Sequence, residues 1–349
     1  MSTRDPHTGP NEPPPSAVML QLIAGFWMSR ALYIAAKLSI ADLLAAGPQE
    51  STALAAATGT HAPSLRRVLR ALASVGVFAE DEQGRFALTP LGSTLQTDVP
   101  GSLRAWATVQ LGEDHYQAWG ELLHSVQTGE IAFDHLFGLD VWQYRAQHPT
   151  HAQLFDAAMA NMIGVFTAAV LASYPFATFG KVVDVGGGDG SLLVHLLRAH
   201  PQMQGVLLDL PHVAAKAQQR ITEAGLGERC EIIAGDAFTA VPQGGDAYLL
   251  SRVIHDWDEE RSVALLTNCR HAMAAQGKLL LIERVLPSRV APSSMAQALV
   301  LSDLNMMVMN GGRERTEVEY QTLCAAAGLR LTQIISTSSP MSVIESVRV

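Results

Sequence analysis

The sequence is poor in charge, in cysteine and in long apolar runs. Of its 349 residues only 16% are charged, against roughly 25% in an average soluble protein. With 48% apolar residues, this is not the composition of a disordered chain. Basic residues are the scarcer sign: 24 Lys and Arg against 33 Asp and Glu leave a net charge of −9. A protein whose main partner is nucleic acid usually shows a basic excess, so no such partner is expected. The three cysteines, Cys230, Cys269 and Cys324, lie far apart, and no CxxC pair occurs. Neither a disulfide framework nor a zinc ribbon is expected, and a reduced, cytoplasmic setting fits. Residues 1–16 hold five prolines and no apolar core, so they read as a disordered tail and not as a signal peptide. The most apolar stretch, 157–172, is interrupted by Asn161. It is too short to span a bilayer; it reads as a buried helix, and no membrane partner is expected.

Alanine, by contrast, is plentiful at 49 residues, which favours helices. At roughly 150 residues per domain, the length suggests two domains. Residues 17–100 read as three helices and a hairpin. A helix over 31–44 stops at Gly47, a second over 51–58 stops at Gly59, and Pro63 opens a third that Gly76 closes. Leu65, Val68, Leu69 and Leu72 recur in it at helical spacing. Segments 77–79 and 85–89 flank a polar turn, as in a hairpin. This is the pattern of a winged helix-turn-helix, whose obvious reading is DNA binding through Arg66, Arg67 and Arg70. Residues 30–100, however, hold six basic and six acidic groups. The wing tip Glu80-Asp81-Glu82 is acidic where it would approach phosphate. The alternative is an Ala-rich unit that packs against a second copy of itself. Residues 101–175 look wholly helical and form a connector. In it Phe155, Met159, Met162 and Phe166 make a stripe at spacings of three and four, either core or the wall of a ligand site.

From residue 176 the pattern changes. Apolar runs at 182–185, 206–210, 232–234, 247–250 and 279–285 alternate with helical segments at 191–199, 212–224 and 259–275. This predicts a parallel sheet covered on both faces. A helix near 316–326 precedes two runs, 329–337 and 343–347, joined by a loop short enough to force an antiparallel hairpin. The expected fold is therefore α/β. A Rossmann-like, mostly parallel sheet with a C-terminal antiparallel hairpin occupies 176–349, behind a winged-helix-like N-terminal domain.

The strongest local signal is Val182-Val-Asp-Val-Gly-Gly-Gly-Asp-Gly-Ser, a strand running into a glycine turn and then a helix. Gly186 and Gly188 let the backbone approach a ligand and free N–H groups at a helix start. The dinucleotide form G-x-G-x-x-G would need glycine where Ser191 stands. Asp184, two residues before the turn, would repel a pyrophosphate but suits an ammonium group. Asp209 ends the next strand, where a carboxylate can hold both hydroxyls of a ribose. Asp236 follows the third strand, placed to bond an exocyclic amine, with Phe238 as an apolar wall. Any one of these acids is equally a helix cap or a turn former. Three of them at successive strand ends, beside the glycine turn, suit an adenosine with a cationic amino-acid tail.

In these segments the chain resembles the class I S-adenosylmethionine-dependent methyltransferases, specifically the plant-type (caffeate and acetylserotonin) O-methyltransferases and their bacterial natural-product relatives. Five further segments, with that glycine turn, carry the likeness. They are Asp209-Leu-Pro-His-Val, Gly235-Asp-Ala-Phe, His255-Asp-Trp-Asp, Glu283-Arg-Val-Leu-Pro and Gly311-Gly-Arg-Glu-Arg-Thr. The likeness covers about residues 17–349. It implies S-adenosyl-L-methionine as cofactor and S-adenosyl-L-homocysteine as product. It places cofactor contacts at Gly186, Asp209, Asp236 and Ala237, the general base at His255, and flanking acids at Glu283 and Glu314; Leu210, next to Asp209, is a further candidate contact. It also implies that the N-terminal domain forms a homodimer. Plant members carry a lysine four residues before the base; here that position is Ser251, with Arg252 beside it.

The residues support His255 independently. Methyl transfer from a sulfonium needs an in-line oxygen nucleophile and a group to take its proton. A phenol titrates near 10, so little is ionised at pH 7, and a neutral imidazole titrating near 6.5 is a suitable acceptor, each to about a unit. A carboxylate on the far ring nitrogen would fix the tautomer. Asp256, the next residue, caps the following helix or helps orient the base or the cofactor. The Met-rich segment with Asp303, Asn305 and Met306 reads as a second wall of the acceptor pocket, its polar groups either bonding a ring substituent or forming a polar helix face. No His, Asp and Glu cluster shows metal-ligand spacing, so no metal is expected. The expected reaction is methylation of a phenolic hydroxyl on a planar aromatic metabolite of phenazine, quinone or polyketide type. The same fold also admits N-methylation, or cofactor-assisted decarboxylation or hydroxylation, and a winged-helix regulator is the remaining alternative.

Overall fold

The computed structural model describes residues 13–349; residues 1–12 of the expected tail lie outside the described part. The chain divides into two compact units, at 113/114.

In the first unit α1 (Pro15–Lys37) opens with Pro15 in its first turn, where the missing N–H costs nothing. The sequence reading began this helix at 31. In fact one helix runs from Pro15 and breaks at Ser39, whose φ of 53° is left-handed. α2 (Ile40–Leu43) and a short 3-10 turn then lead to Gly47. The early start was hidden because α1 is apolar on several faces and shows no helical period. Its N-terminal half leaves Met19, Leu20, Leu22, Ile23, Phe26 and Trp27 exposed. Among the described residues, α1 is the one unbroken helix long and apolar enough to cross a membrane. The stretch 157–172 lies, as read from the sequence, within a helix, Pro149–Ser173.

The remaining elements of this unit are β1 (Gln49–Glu50), α3 (Ser51–Thr58), α4 (Ala62–Ala73), β2 (Phe78–Glu80), β3 (Arg85–Leu88), α5 (Pro90–Ser93) and α6 (Arg104–Gln110). β1 was not foreseen; it adds a third strand to the hairpin, in the order β1-β3-β2. Leu65, Leu69 and Leu72 of α4 close over Phe78 and Phe86 in one core. The acidic wing turns inward: Glu80 pairs with Arg66 and Arg70 at 3.1 and 2.9 Å. Two of the three arginines of the DNA-binding alternative are thus neutralised within the unit.

The second unit starts with helices α7 (Glu113–Gly120), α8 (Leu122–Thr128), α9 (Ala132–Phe137), α10 (Val141–Gln147) and the long α11 (Pro149–Ser173). Alternation of strand and helix follows: β4 (Lys181–Val185), α12 (Ser191–Ala199), β5 (Gln204–Asp209), α13 (Pro211–Glu223), β6 (Cys230–Ala234), β7 (Ala247–Ser251), α14 (Glu259–Ala272) and β8 (Lys278–Glu283). A short β9 (Val285–Leu286) leads to α15 (Ser294–Met309), β10 (Arg315–Thr316), α16 (Glu317–Ala326) and the hairpin β11 (Leu329–Ser336) and β12 (Ser342–Arg348).

Seven strands form one sheet in the order β11-β12-β8-β7-β4-β5-β6. β6, β5, β4, β7 and β8 are parallel neighbours, while β12 lies antiparallel between β8 and β11. The two-residue period of the strands sorts their side chains. Val182, Leu207, Leu249 and Leu280 face one core with α11 and α12. Val183, Leu208, Leu250 and Leu281 face the other with α14 and α16. The chain reverses its direction of growth between β4 and β7. That switch point, at the carboxyl ends of the strands, is where open α/β sheets bind ligands.

Leu280 is fully buried at the centre of the sheet. Leu280→Ala should lower the unfolding free energy by ~2–5 kcal/mol, read as a lower urea midpoint with an unchanged slope.

Candidate active site

Two turns leave adjacent strands at the switch point. After β4, Gly186 and Gly188 take φ of 71° and 60°, a region that side chains avoid. Gly187 is required for another reason: a Cβ there would stand 2.7 Å from the Asp184 carboxylate. Asp184 is buried beneath the turn, and its Oδ1 has no hydrogen-bond partner. Burial, with the fields of Asp209 and Asp189, pushes its pKa up to about 7. An orphaned buried carboxylate under an open glycine turn favours a cation over a phosphate, as an ammonium-bearing ligand requires.

Asp209 ties the neighbouring strand to this turn. Its Oδ2 accepts the Gly188 N–H at 2.8 Å and its Oδ1 accepts the Leu210 N–H at 2.7 Å. Burial raises its pKa and the two backbone bonds oppose the rise. Each oxygen retains a lone pair for a hydroxyl. Leu210 beside it is exposed, an apolar surface at the ligand edge. Asp236 is exposed and its Oδ1 accepts the Phe238 N–H, so one of its oxygens forms a turn. Asn268 holds the Ala237 and Phe238 carbonyls, and the Phe238 ring meets Trp257 edge-on at 5.1 Å.

After β7 the chain makes a single 3-10 turn, Ile254–Asp256, that carries His255. Arg252 enters it at a strained φ of 57°. Glu283, at the end of β8, anchors the turn: its Oε1 accepts the Val253 and Ile254 N–H groups, both at 2.9 Å. Its Oε2 stands 3.5 Å from Nδ1 of His255, and Glu314 Oε1 stands 3.4 Å from the same nitrogen. Asp256 Oδ1 is 3.6 Å from Nε2 and accepts a bond from Asn310. The imidazole is 3% exposed. Burial pulls its pKa down, but the fields of Glu283, Asp256 and Glu314 outweigh burial and raise it. Burial pushes Glu283 up to about 7. Glu314 is drawn down to about 2 despite its burial, by His255, Arg284 and the Ser302 hydroxyl. Glu314 is thus the carboxylate that stays ionised opposite the ring.

Three supports of this turn went unread in the sequence. Arg315, fully buried, donates to the carbonyls of Ile254 and Trp257 at 3.0 Å each. Arg284 reaches Glu314 at 3.3 Å. Gly312 lies so close that a Cβ would fall 2.0 Å from the His255 carbonyl. The two-residue pairing of β9 with β10, also unforeseen, holds this segment in place.

The acceptor-side residues need correction. Phe166 packs into the core between α11 and the sheet, on the core side of the stripe. Asp303 accepts the Glu314 N–H at 2.9 Å and Asn305 accepts the Trp119 indole at 3.0 Å. The polar-helix-face alternative therefore describes these two, and Asp303 positions Glu314. Met306 is buried, Met162 half-buried. Phe155 and Met159 face cations: Arg145 lies 3.5 Å above the Phe155 ring and Arg252 Nη1 lies 3.4 Å from the Met159 sulfur. Ser251 Oγ and Arg252 Nε are buried without a hydrogen-bond partner. A cleft of about 230 Å³ opens beside Asp256, lined by Ile131, Trp142, Trp257, Arg261 and Asn310 among others.

The spacing argument against a metal is also corrected. Folding brings together two donor groups that linear spacing conceals, His124 with Glu130 and His135, and His255 with Glu283 and Glu314. In the second, the carboxylates already bind Ser302, Arg284 and the turn that carries His255.

Comparison with known proteins follows this geometry. A model of the O-methyltransferase domain matches residues 119–330, and one of the O-methyltransferase dimerisation domain matches residues 20–98. The chain is 46% identical to a phenazine O-methyltransferase of Lysobacter antibioticus, over 95% of this chain and 96% of that one. It is 34% identical to a phenazine-1-carboxylate N-methyltransferase of Pseudomonas aeruginosa, over 95% and 96%. It superposes with a TM-score of 0.80 on an O-methyltransferase from neocarzinostatin biosynthesis, solved with S-adenosylmethionine and 2-hydroxy-5-methyl naphthoic acid. Identity there is 36%, over 92% of this chain and 96% of that one.

Because its pKa is raised, the His255 imidazole is neutral, and able to accept a proton, only above its shifted value. kcat/KM should therefore rise with pH through a limb above ~6.5. Glu314→Gln removes a charge that favours imidazolium, so the limb should move to lower pH; a pH–rate profile of both proteins checks this.

Proposed function

Because this chain belongs to the S-adenosylmethionine-dependent O-methyltransferase family, we propose that His255 is the base that takes the proton from its acceptor. The protein is an enzyme that methylates aromatic metabolites with S-adenosyl-L-methionine. Its relatives named for phenazine and naphthoate chemistry support a planar phenolic acceptor of natural-product type. The observation that carries the reading is the buried imidazole facing two carboxylates through Nδ1, beside the glycine turn.

On this reading the cofactor is held by Asp184 and the Gly186 and Gly188 turn at its amino-acid end. Asp209 takes the ribose, and Leu210, Asp236, Ala237 and Phe238 take the adenine, with Ser251 and Arg252 completing that edge. When bound, the cofactor supplies an electrophilic methyl group on a sulfonium. Glu283 and Glu314 keep a proton on Nδ1, which leaves Nε2 with its lone pair toward the acceptor. With the cofactor bound, Nε2 would take the proton that the acceptor hydroxyl gives up. The imidazolium is then stabilised by the ionised Glu314, and its proton returns to solvent. Asp256, whose Oδ1 lies 3.6 Å from Nε2, adds to this stabilisation once that nitrogen carries the proton. Phe155, Met159, Met162 and Met306 wall the acceptor, and burial of the base excludes competing water. Positioning supplies much of the rate.

The domain matching 20–98 is a dimerisation domain. The exposed apolar half of α1 supports a homodimer closed through it, and we place the enzyme in the cytoplasm. An N-methylated acceptor is the second reading, on the strength of the phenazine-1-carboxylate relative; NMR of the product, locating the methyl on O or N, separates the two.

His255→Ala should lower kcat by ~10²–10⁴-fold and leave S-adenosylhomocysteine affinity, measured by calorimetry, unchanged. Near-normal turnover would remove the base from its role. Light scattering should give twice the chain mass of 37.4 kDa, and Phe26→Glu with Trp27→Glu should shift the protein toward monomer.

A further inference from the structure

The Arg145 guanidinium on α10 is not accounted for by the mechanism above. It lies 3.5 Å above the Phe155 ring and 4.9 Å from the Trp142 ring. Among the described residues it forms no salt bridge, and its side chain donates no hydrogen bond to a protein group. Burial lowers its pKa to about 10, against the fields of Asp256, Asp114 and Asp156. Each of those carboxylates has a nearer partner. Asp156 pairs with Lys216, Asp114 with His115 and His151, and Asp256 accepts from Asn310. A guanidinium carries five donors, and stacking on two rings satisfies its faces but none of its edges. Arg145 is only half-buried, so those edge donors are open to a ligand.

Its location says which ligand would meet it. Phe155 and Met159 are one turn apart on α11, so they share a face. Arg252, at the strand end beside the glycine turn, contacts Met159; Arg145 contacts Phe155. Arg145 therefore sits one helical turn further along α11 from the cofactor edge, on the acceptor side. Trp142, on which it stacks, lines the same cleft as Asp256, the neighbour of the base.

We infer that Arg145 recognises a carboxylate on the aromatic acceptor, so that the preferred substrates are hydroxylated aromatic acids. The inference rests on the methyltransferase reading above and narrows its substrate class. The carboxylate takes the edge donors of the guanidinium in a planar, two-bond contact, while Phe155 and Trp142 hold the guanidinium plane. The acceptor ring is thereby oriented relative to Nε2 of His255.

The test uses phenolic ring systems as matched pairs with and without a carboxylate, such as a hydroxyphenazine and the corresponding hydroxyphenazine carboxylate. Their binding to the full-length enzyme saturated with S-adenosylhomocysteine, and their turnover with the methyl donor, are both measured. In wild type the acid of at least one pair should bind ~10–100-fold more tightly than its neutral partner. Arg145→Gln should abolish that preference by raising KM for the acid, with kcat, neutral-acceptor KM and S-adenosylhomocysteine affinity unchanged. Arg145→Lys should restore part of it. The wild-type comparison needs no variant to fold: if no acid outcompetes its neutral partner, the inference is overturned. It is overturned equally if Arg145→Gln weakens both members of a pair alike, as a packing role would. Loss of S-adenosylhomocysteine affinity would instead assign Arg145 to the cofactor's carboxylate and overturn it too. Failure of the wild-type enzyme to bind S-adenosylhomocysteine at all would strike the methyltransferase reading itself.

Discussion

The site depends on one buried carboxylate. Glu283 is fully sealed from solvent at the end of β8, yet it serves two structures at once. One oxygen takes the N–H groups of Val253 and Ile254, which a sharp turn off a strand would otherwise leave without partners. The other faces the imidazole that the turn carries. Burying a carboxylate costs several kcal/mol on its own, by order of magnitude. Here the cost is offset because the same group shapes the backbone and orients the ring. Arg315 repeats the logic from the opposite side, holding carbonyls where Glu283 holds N–H groups. Gly312 then lets the segment that carries Glu314 close against the turn.

The sheet explains why such a turn can sit beside a glycine turn. β4 and β7 are neighbours although β5 and β6 intervene in sequence. Chain growth in one direction from β4, then in the other, leaves two unrelated loops side by side at the strand ends. Both faces of the sheet are covered, so these loop ends are where backbone groups open toward a ligand. Asp184 fits this account. It alternates with Val183 and Val185 and so lies on the opposite face of β4 from them, beneath the glycine turn.

How much of this was legible follows from the same physics. Strands buried on both faces read as continuous apolar runs, and all five parallel strands could be located from their runs. Gly47, Gly59 and Gly76 marked stops because the chain needs φ > 0 there. The hairpin β11–β12 was legible from loop length alone. What stayed hidden was set by tertiary partners. Phe155 and Phe166 belong to one stripe, but Phe166 meets the sheet core and Phe155 meets Arg145. Asp303 could be a ligand contact or part of a polar helix face, and only the Glu314 N–H that it accepts favours the second. The two-residue strands β1, β9 and β10 are too short to leave a pattern, and α1 lacks the periodicity that would have announced it. Sequence gives no means of telling a buried arginine such as Arg315 from a solvated one.

The chain's scarcity of charge gives its buried charges meaning. Buried ion clusters contribute little to stability, because desolvation consumes most of the attraction. A chain with so few charged residues nevertheless gathers His255, Glu283, Glu314, Arg284 and Arg252 in one place. Acids lie at the strand ends around the glycine turn, at Asp184 and Asp209. Guanidinium groups touch α11, Arg252 at Met159 and Arg145 at Phe155. A sulfonium is a cation and a phenol surrendering its proton becomes an anion, so their reaction destroys opposite charges. A protein that catalyses it must hold the two signs apart in the ground state and in line for transfer. Fixed charges of both signs can do this where each lies beside the reactant it favours: buried Asp184 under the glycine turn suits the cation, and the His255 cluster suits the oxygen that gives up its proton. On this view the net charge of −9 says little about the site; the placement of single buried charges is what carries the chemistry.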